Sequence, residues 1–151
     1  MATRTAGPGG TTEDPYVGMF FQVEAGATIG FFTEVSGLSV EYEVEEYKEG
    51  GVNDFVHKLR GRAKFPNLVL KRGITSNEEF TKWFAACREK LERRELTLTM
   101  LDQTLKPVRT WSFVGAFPVK WTGPDFKAHS ESTAIETIEI AHQGLKSVTT
   151  G

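Results

Sequence analysis

Apolar residues along this chain recur mostly at period two. In LSVEYEVE (38–45), Leu38, Val40, Tyr42 and Val44 alternate with Ser39, Glu41, Glu43 and Glu45. Successive side chains of a strand point to opposite faces, so this segment predicts a strand with one buried face and one wet, acidic face. ELTLTML (95–101) alternates in the same way, with Leu96, Leu98 and Met100 set against Thr97, Thr99 and Leu101. Aromatic and β-branched runs predict further strands at MFFQVE (19–24), FFTEV (31–35) and NLVLKR (67–72), the first two separated by the Gly-containing AGATIG. VRTWSFVGAFPVKW (108–121) reads as one long strand or as two joined at Gly115–Pro118, where a proline suits an edge or a bulge. DQTLKP (102–107) reads as a turn and TGPDFKAHSES (122–132) as a loop. AIETIEIAH (134–142) fits two periods: Ile138 and Ile140 alternate as in a strand, while Ile135, Ile138 and His142 fit a helix.

One segment changes period. Phe80, Trp83, Phe84, Cys87 and Leu91 recur at helical spacing, and Ser76 with Glu79 has the spacing of a capping box. An amphipathic helix over about 76–93 is predicted, with Glu78–Lys82 and Glu89–Arg93 as exposed i,i+4 pairs. Cys87 falls on the apolar stripe and reads as inert packing. The fold class is therefore mainly β: a sandwich or barrel of about seven to nine strands with the helix packed on its outside. Residues 1–14, small, polar and rich in Gly and Thr, read as a flexible arm; 15–147 form a single domain, and 148–151 read as a C-terminal tail.

Composition sharpens this picture. A chain of 151 residues suits one domain and buries enough surface to fold without metals or disulfides. Eleven phenylalanines favour a well-filled β-rich core. A net charge of −2 and a pI near 6.0 argue against general nucleic-acid binding. Cys87 is the only cysteine, so no intramolecular disulfide can form, which fits a reducing compartment. No apolar run approaches a membrane span and no signal peptide opens the chain, so stable membrane insertion is not expected, and synthesis in the cytoplasm is.

Candidate chemistry is sparse. His57, His129 and His142 have no metal-ligand spacing, and nucleophile elbow, P-loop and dinucleotide fingerprint are absent. The glutamates of 41–49 could include a glycosidase pair, but alternate glutamates on one strand face read more simply as a solvated or partner-facing surface. Trp111, Phe117 and Trp121 could stack on a sugar in a monomeric binding module; aromatics at strand spacing read more simply as core. The expectation is a protein with no catalytic residue, no cofactor and no metal.

Charge is segregated. From Glu34 to Asp54 the acids are Glu34, Glu41, Glu43, Glu45, Glu46, Glu49 and Asp54, against one base, Lys48. From Phe55 to Arg72 the bases are Lys58, Arg60, Arg62, Lys64, Lys71 and Arg72, with no acid. Opposed blocks can neutralise each other in one hairpin, or attract between copies and build rings or filaments. Charge alone leaves both open.

FTEVSGLSVEYEVEEYKEGG (32–51) and KLRGRAKFPNLVLKRGIT (58–75) resemble the tail-tube proteins of contractile phages and of phage-like extracellular contractile injection systems. RTWSFVGAFPVKWTGPDFKAHSESTAIETIEIAHQGL (109–145) resembles that family's C-terminal block, with P-V-K-W-x-G-P-D followed by A-I-E-T-I-E-I-A-H-x-G-L. The likeness runs from about Asp14 to Leu145. It departs at Arg60, where the family often has proline, and at Gln143, where glutamate is common.

The resemblance implies a β-sandwich closing toward a barrel with one flanking helix, and it makes 134–142 a strand. It implies six copies in a ring around a channel, rings stacked into an inner tube, and a contractile sheath that drives the tube through a target envelope. Its implied partners are further copies of the chain, the sheath protein, baseplate or spike and tube-terminating proteins, and cargo or DNA in the lumen. The assembled particle is a virion tail or an injection system. A tube-initiating or terminating ring, or a carrier ring as in type VI secretion, is the alternative. EVEEYKEGGVNDFVHKLRGR then becomes a projecting hairpin-like loop that makes subunit and ring-to-ring contacts. Its contact residues are Glu41, Glu43, Glu45, Glu46, Tyr47, Lys48, Glu49, Gly50, Gly51, Val52, Asp54, Phe55, Lys58, Arg60 and Arg62. Gly50 and Gly51 permit the turn, and Tyr47, Val52 and Phe55 are the apolar anchors. For the channel wall, alternation leaves the polar faces at Ser39, Glu41 and Glu43 or at Thr97 and Thr99.

Overall fold

A computed structural model describes residues 19–47, 56–124 and 134–150. Elements follow in the order β1 (Phe20–Ala25), β2 (Ala27–Phe32), β3 (Glu34–Ser36), β4 (Glu41–Tyr47), β5 (His57–Lys64), β6 (Leu68–Gly73), α1 (Glu79–Glu89), β7 (Arg94–Leu101), β8 (Pro107–Thr122), β9 (Ile135–Ala141) and β10 (Gly144–Thr150). The fold is mainly β, as the alternating pattern predicts. The described residues form ten strands where seven to nine were expected. β5 comes from the stretch read as a hairpin-like loop, and two further causes add a strand each. The predicted strand 31–35 divides at Thr33, and its first part begins early, at Ala27, because Gly26 alone turns the chain at φ 75°. The predicted tail from 148 continues β10, which the lone apolar pair Leu145 and Val148 did not announce.

All pairings are antiparallel. One sheet runs β2–β1–β7–β8, with β10 added beside the first half of β8. The other runs β8–β9–β6–β3 and takes the second half of β8. The sixteen residues of β8 therefore belong to both sheets. The bend lies at Gly115, whose φ of 63° suits a residue without a side chain and whose free space is filled by the Gln143 side chain. Beside it, β9 and β10 make the same corner through His142 and Gln143, whose N–H donates to Val114 O at 2.8 Å. The opposite corner is β2–β3, where Thr33 N–H donates to Lys71 O at 3.0 Å. A sandwich with continuous strands turning its corners is a sandwich closing toward a barrel.

The core fills the space between the sheets. Val23, Ile29, Phe32, Leu96, Leu98 and Phe113 meet Leu68, Leu70, Ile138 and Ile140, and α1 adds Phe80 and Trp83. Each such side chain contributes about 1.5–3 kcal/mol by leaving water. The helix is shorter than predicted. The N-cap is Glu78, not Ser76, and its side chain makes no capping bond; the preceding Asn77 accepts from Glu79 N–H through Oδ1 at 2.9 Å and donates from Nδ2 to Thr28 O on β2. It stops at Glu89 because Lys90 is extended, and Trp83 Nε1 and Cys87 Sγ both donate to Glu92 O in the exit loop. Leu91 consequently leaves the stripe and is exposed. Lys82 pairs with Glu79 rather than with Glu78, and Arg93 lies over the Phe117 ring. Cys87 packs half-buried against the core.

Candidate interface: a projecting ribbon and a polar sheet face

β4 and β5 form a two-stranded sheet of their own. Their register pairs Glu41 with Lys64 and Glu46 with Lys58. Glu43 Oε1 and Lys64 Nζ lie 3.1 Å apart, and the Arg60 guanidinium lies 4.1 Å from the Tyr42 ring centroid. The acidic and basic blocks thus meet across one ribbon of one chain. A bulge between Tyr42 and Val44 adds local twist, and Gly61 lets the partner strand approach Glu43 closely.

Every residue of β4 is exposed. The expected burial of Leu38, Val40, Tyr42 and Val44 does not occur: Val44 is 60% exposed, and Leu59 on β5 is 54% exposed. The ribbon projects beyond the core, and none of its own chain's described layers covers it. Alternation distinguishes two faces of a strand; it does not say which chain covers the apolar one. Of the predicted contact residues, Glu41, Glu43, Glu45, Glu46 and Tyr47 stand on β4, and Lys58, Arg60 and Arg62 on β5. Lys48, Glu49, Gly50, Gly51, Val52, Asp54 and Phe55 lie outside the described residues.

The root of the ribbon is built differently. Phe65 follows β5 directly and packs on His142, ring centroids 5.6 Å apart, while Phe113 approaches His142 from β8 at 4.6 Å. Both imidazole nitrogens are buried, and among the described residues neither has a hydrogen-bond partner of good geometry. That burial holds the imidazole below its usual pKa, against a smaller opposing pull from the backbone of Pro66 and Gly144. Nearby, Leu38 and Val40 roof a small cavity of about 110 Å³ over Trp111, Phe113 and Leu145.

The first sheet carries a second distinctive surface. Its inner face supplies Val23, Leu96 and Leu98 to the core, so the intervening residues face outward. Cross-strand register aligns these in two rows. One runs Thr28, Glu24, Thr97, Ser112, Ser147. The next runs Phe31, Gln22, Thr99, Thr110, Thr149. Gln22 Nε2 donates to Glu24 Oε1 at 3.1 Å, and Thr110 and Thr99 hydroxyls lie 3.5 Å apart. Beside the rows, Lys146 Nζ meets Glu95 Oε1 at 3.1 Å.

The remaining candidates resolve separately. Trp111 packs against the core, whereas Trp121 is 51% exposed and donates its Nε1–H to Glu136 Oε2 at 3.0 Å. Glu136 also receives the buried Arg72 guanidinium, whose Nη1 donates to Ile29 O at 2.7 Å. Sequence patterns had not singled out this cluster or the corner histidine, which depend on contacts between residues far apart in sequence; of the two rows they had named only Thr97 and Thr99. Among the described residues no three His, Cys, Asp or Glu side chains group as metal ligands.

The profile of a family described as the T4-like virus tail tube protein gp19 matches residues 17–146. The chain belongs to this tail-tube family. The resemblance in the two motif blocks is thereby borne out, and the tail-tube fold is shared with solved structures. One is a chain in the cryo-EM structure of the anti-feeding prophage (AFP) baseplate, 6-fold symmetrised. It is 26% identical, with 92% of this chain and 98% of that one covered and a TM-score of 0.74. A chain in the sheath–tube complex of the PVC extracellular contractile injection system, extended state, is 25% identical over 93% and 95%, TM-score 0.77. A chain in the PVC sheath/tube terminator structure is 26% identical over 93% and 100%, TM-score 0.77. A search among curated proteins finds no match.

Proposed function

We propose that this tail-tube protein is the inner-tube subunit of a contractile injection particle or phage tail. Six copies form a ring, rings stack around a channel, and a surrounding sheath drives the tube on contraction while cargo or DNA passes along it. The observation that carries the reading is the family match over residues 17–146, in a chain whose β4–β5 ribbon stands off its own core. An isolated two-stranded ribbon is at best marginally stable in water, so exposed Tyr42, Val44, Tyr47 and Leu59 suit contact with another copy. The contact residues are Glu41, Glu43, Glu45, Glu46, Tyr47, Lys58, Arg60 and Arg62 on the ribbon, together with Lys48, Glu49, Gly50, Gly51, Val52, Asp54 and Phe55, which lie outside the described residues. The role is mechanical and asks no catalytic residue of the chain. The partners that fit it are sheath, baseplate and terminator proteins, the kinds of assembly in which similar chains are found.

A second reading has a specific support. The chain is as similar to one in the terminator structure, at 26% identity, as to one in the sheath–tube complex, at 25%. A terminating or initiating ring would form single rings, whereas a main-tube subunit elongates. Solution mass and electron microscopy of the purified protein separate these. Rings that lengthen into tubes are expected; rings that never stack assign the second reading. A species that stays monomeric, even with preformed tube or baseplate supplied, contradicts both.

A further inference from the structure

We infer that the two outward rows of the first sheet form the wall of the channel, and that this wall is nearly free of net charge. The inference rests on the tube reading and adds which surface faces the lumen and what a passenger meets there. Three observations lead to it. The rows lie across all five strands of the first sheet, on the side turned away from the core. Their chemistry is short and hydroxylic: Thr97, Thr99, Thr110 and Ser112 at the centre, with no Tyr, Trp or Arg in either row. Ser and Thr are poor anchors for a protein partner, and with Phe31 at the β2 edge as the one aromatic of the rows, the centre of the face is suited to stay wet. Glu24 is the one charged residue of the two rows, and it accepts a hydrogen bond from Gln22. The adjoining Lys146 and Glu95 neutralise each other.

The ribbon offers the contrast. It exposes apolar and charged groups together, which is what a contact between copies uses; the centre of the hydroxyl face exposes neither, and Phe31 and Glu24 stand toward its β1–β2 edge. A passenger sliding along this face exchanges one hydrogen-bonded water for another and finds no fixed charge to hold it. Thr110 lies two strand spacings and one row from Glu24, about 12 Å, which exceeds the Debye length of about 8 Å at physiological salt. Glu24 therefore places little field at Thr110.

Thr110→Cys in a Cys87→Ser background tests this. Tubes are first confirmed by electron microscopy, then treated with an anionic thiosulfonate, a cationic thiosulfonate and a polymer-linked maleimide too wide for the bore. The expected result is reaction with both small reagents at relative rates within about threefold of those in the unassembled protein, and exclusion of the bulky one except at tube ends. Reaction with the bulky reagent along intact tubes, or no reaction with the small ones, places the face outside or in a contact and overturns the assignment. A shift of more than about tenfold between anion and cation overturns the neutrality. Thr149→Cys, in the same row, repeats the measurement from β10. If both variants fail to assemble where the wild type succeeds, the face is a packed contact and the inference falls. Failure of the wild type to assemble is read before labelling and counts against the tube reading itself.

Discussion

Arg72 and His142 are the two residues whose chemistry most constrains the monomer. Arg72 is 5% exposed, pairs with Glu136, donates to Ile29 O and lies 4.8 Å from the Phe32 ring centroid. It thereby ties β6 to β9 and β2. Arg72→Met leaves the Glu136 carboxylate enclosed without its cation, and urea unfolding should show a loss of about 3–5 kcal/mol. Replacing Glu136 with leucine in the same chain should recover much of that loss, because an apolar pair of similar size removes the stranded charge. Burial between Phe65 and Phe113 disfavours the charged form of the His142 imidazole and lowers its pKa in the folded protein. The unfolded chain takes up the proton first as pH falls through about 6.5, so this contribution to stability is present above that value and is lost below it. The melting temperature of the monomer should fall between about pH 7.5 and about pH 5, and His142→Met should flatten that fall. An unchanged slope in the variant would remove His142 as the cause.

At the scale of elements, the ribbon separates two roles of charge. Glu46→Lys sets two lysines directly opposite each other, at a cost of roughly 0.2–1 kcal/mol within the ribbon. The swap Glu46→Lys with Lys58→Glu restores that pairing in the monomer. If the charges also act between copies, the swapped protein should still lose assembly by about tenfold or more, because like charges across an interface cost several kcal/mol. Full recovery by the swap would confine the charges to the ribbon's own pairing. Val44→Ser with Leu59→Ser should leave monomer stability within about 0.5 kcal/mol, both being exposed, yet abolish assembly in light scattering. What was legible in the sequence follows the same division. β7 could be read from Leu96 to Thr99, since Leu96 and Leu98 go in and Thr97 and Thr99 go out by purely local geometry, but not at Leu101, which alternation set on the threonine face and which is buried beyond the register shift at Met100–Leu101. The covering of β4 could not, because another chain is free to supply it. Helix ends were misread by a few residues because Asn77 reaches across to β2 and Glu92 back to Trp83, contacts that no local pattern carries. β10 was missed because an edge strand against β8, with most of its residues exposed, needs little apolar alternation.

For the whole molecule, the proposed function gives three surfaces three tasks: a closed core for stability, a ribbon for contact between copies, and a hydroxyl face for the bore. Opposite blocks of charge in the chain become pairs across the ribbon, so the monomer carries little unbalanced field there, and its exposed apolar groups are left to seek a partner. A ring-resolved cryo-EM map of the assembled protein tests this most directly. The account predicts six-fold rings stacked into a tube, with the β4–β5 ribbon in density shared by neighbouring copies and Thr97, Thr99 and Thr110 facing the lumen. A protein that gives only monomers, or a tube whose ribbon touches no neighbour, would contradict it.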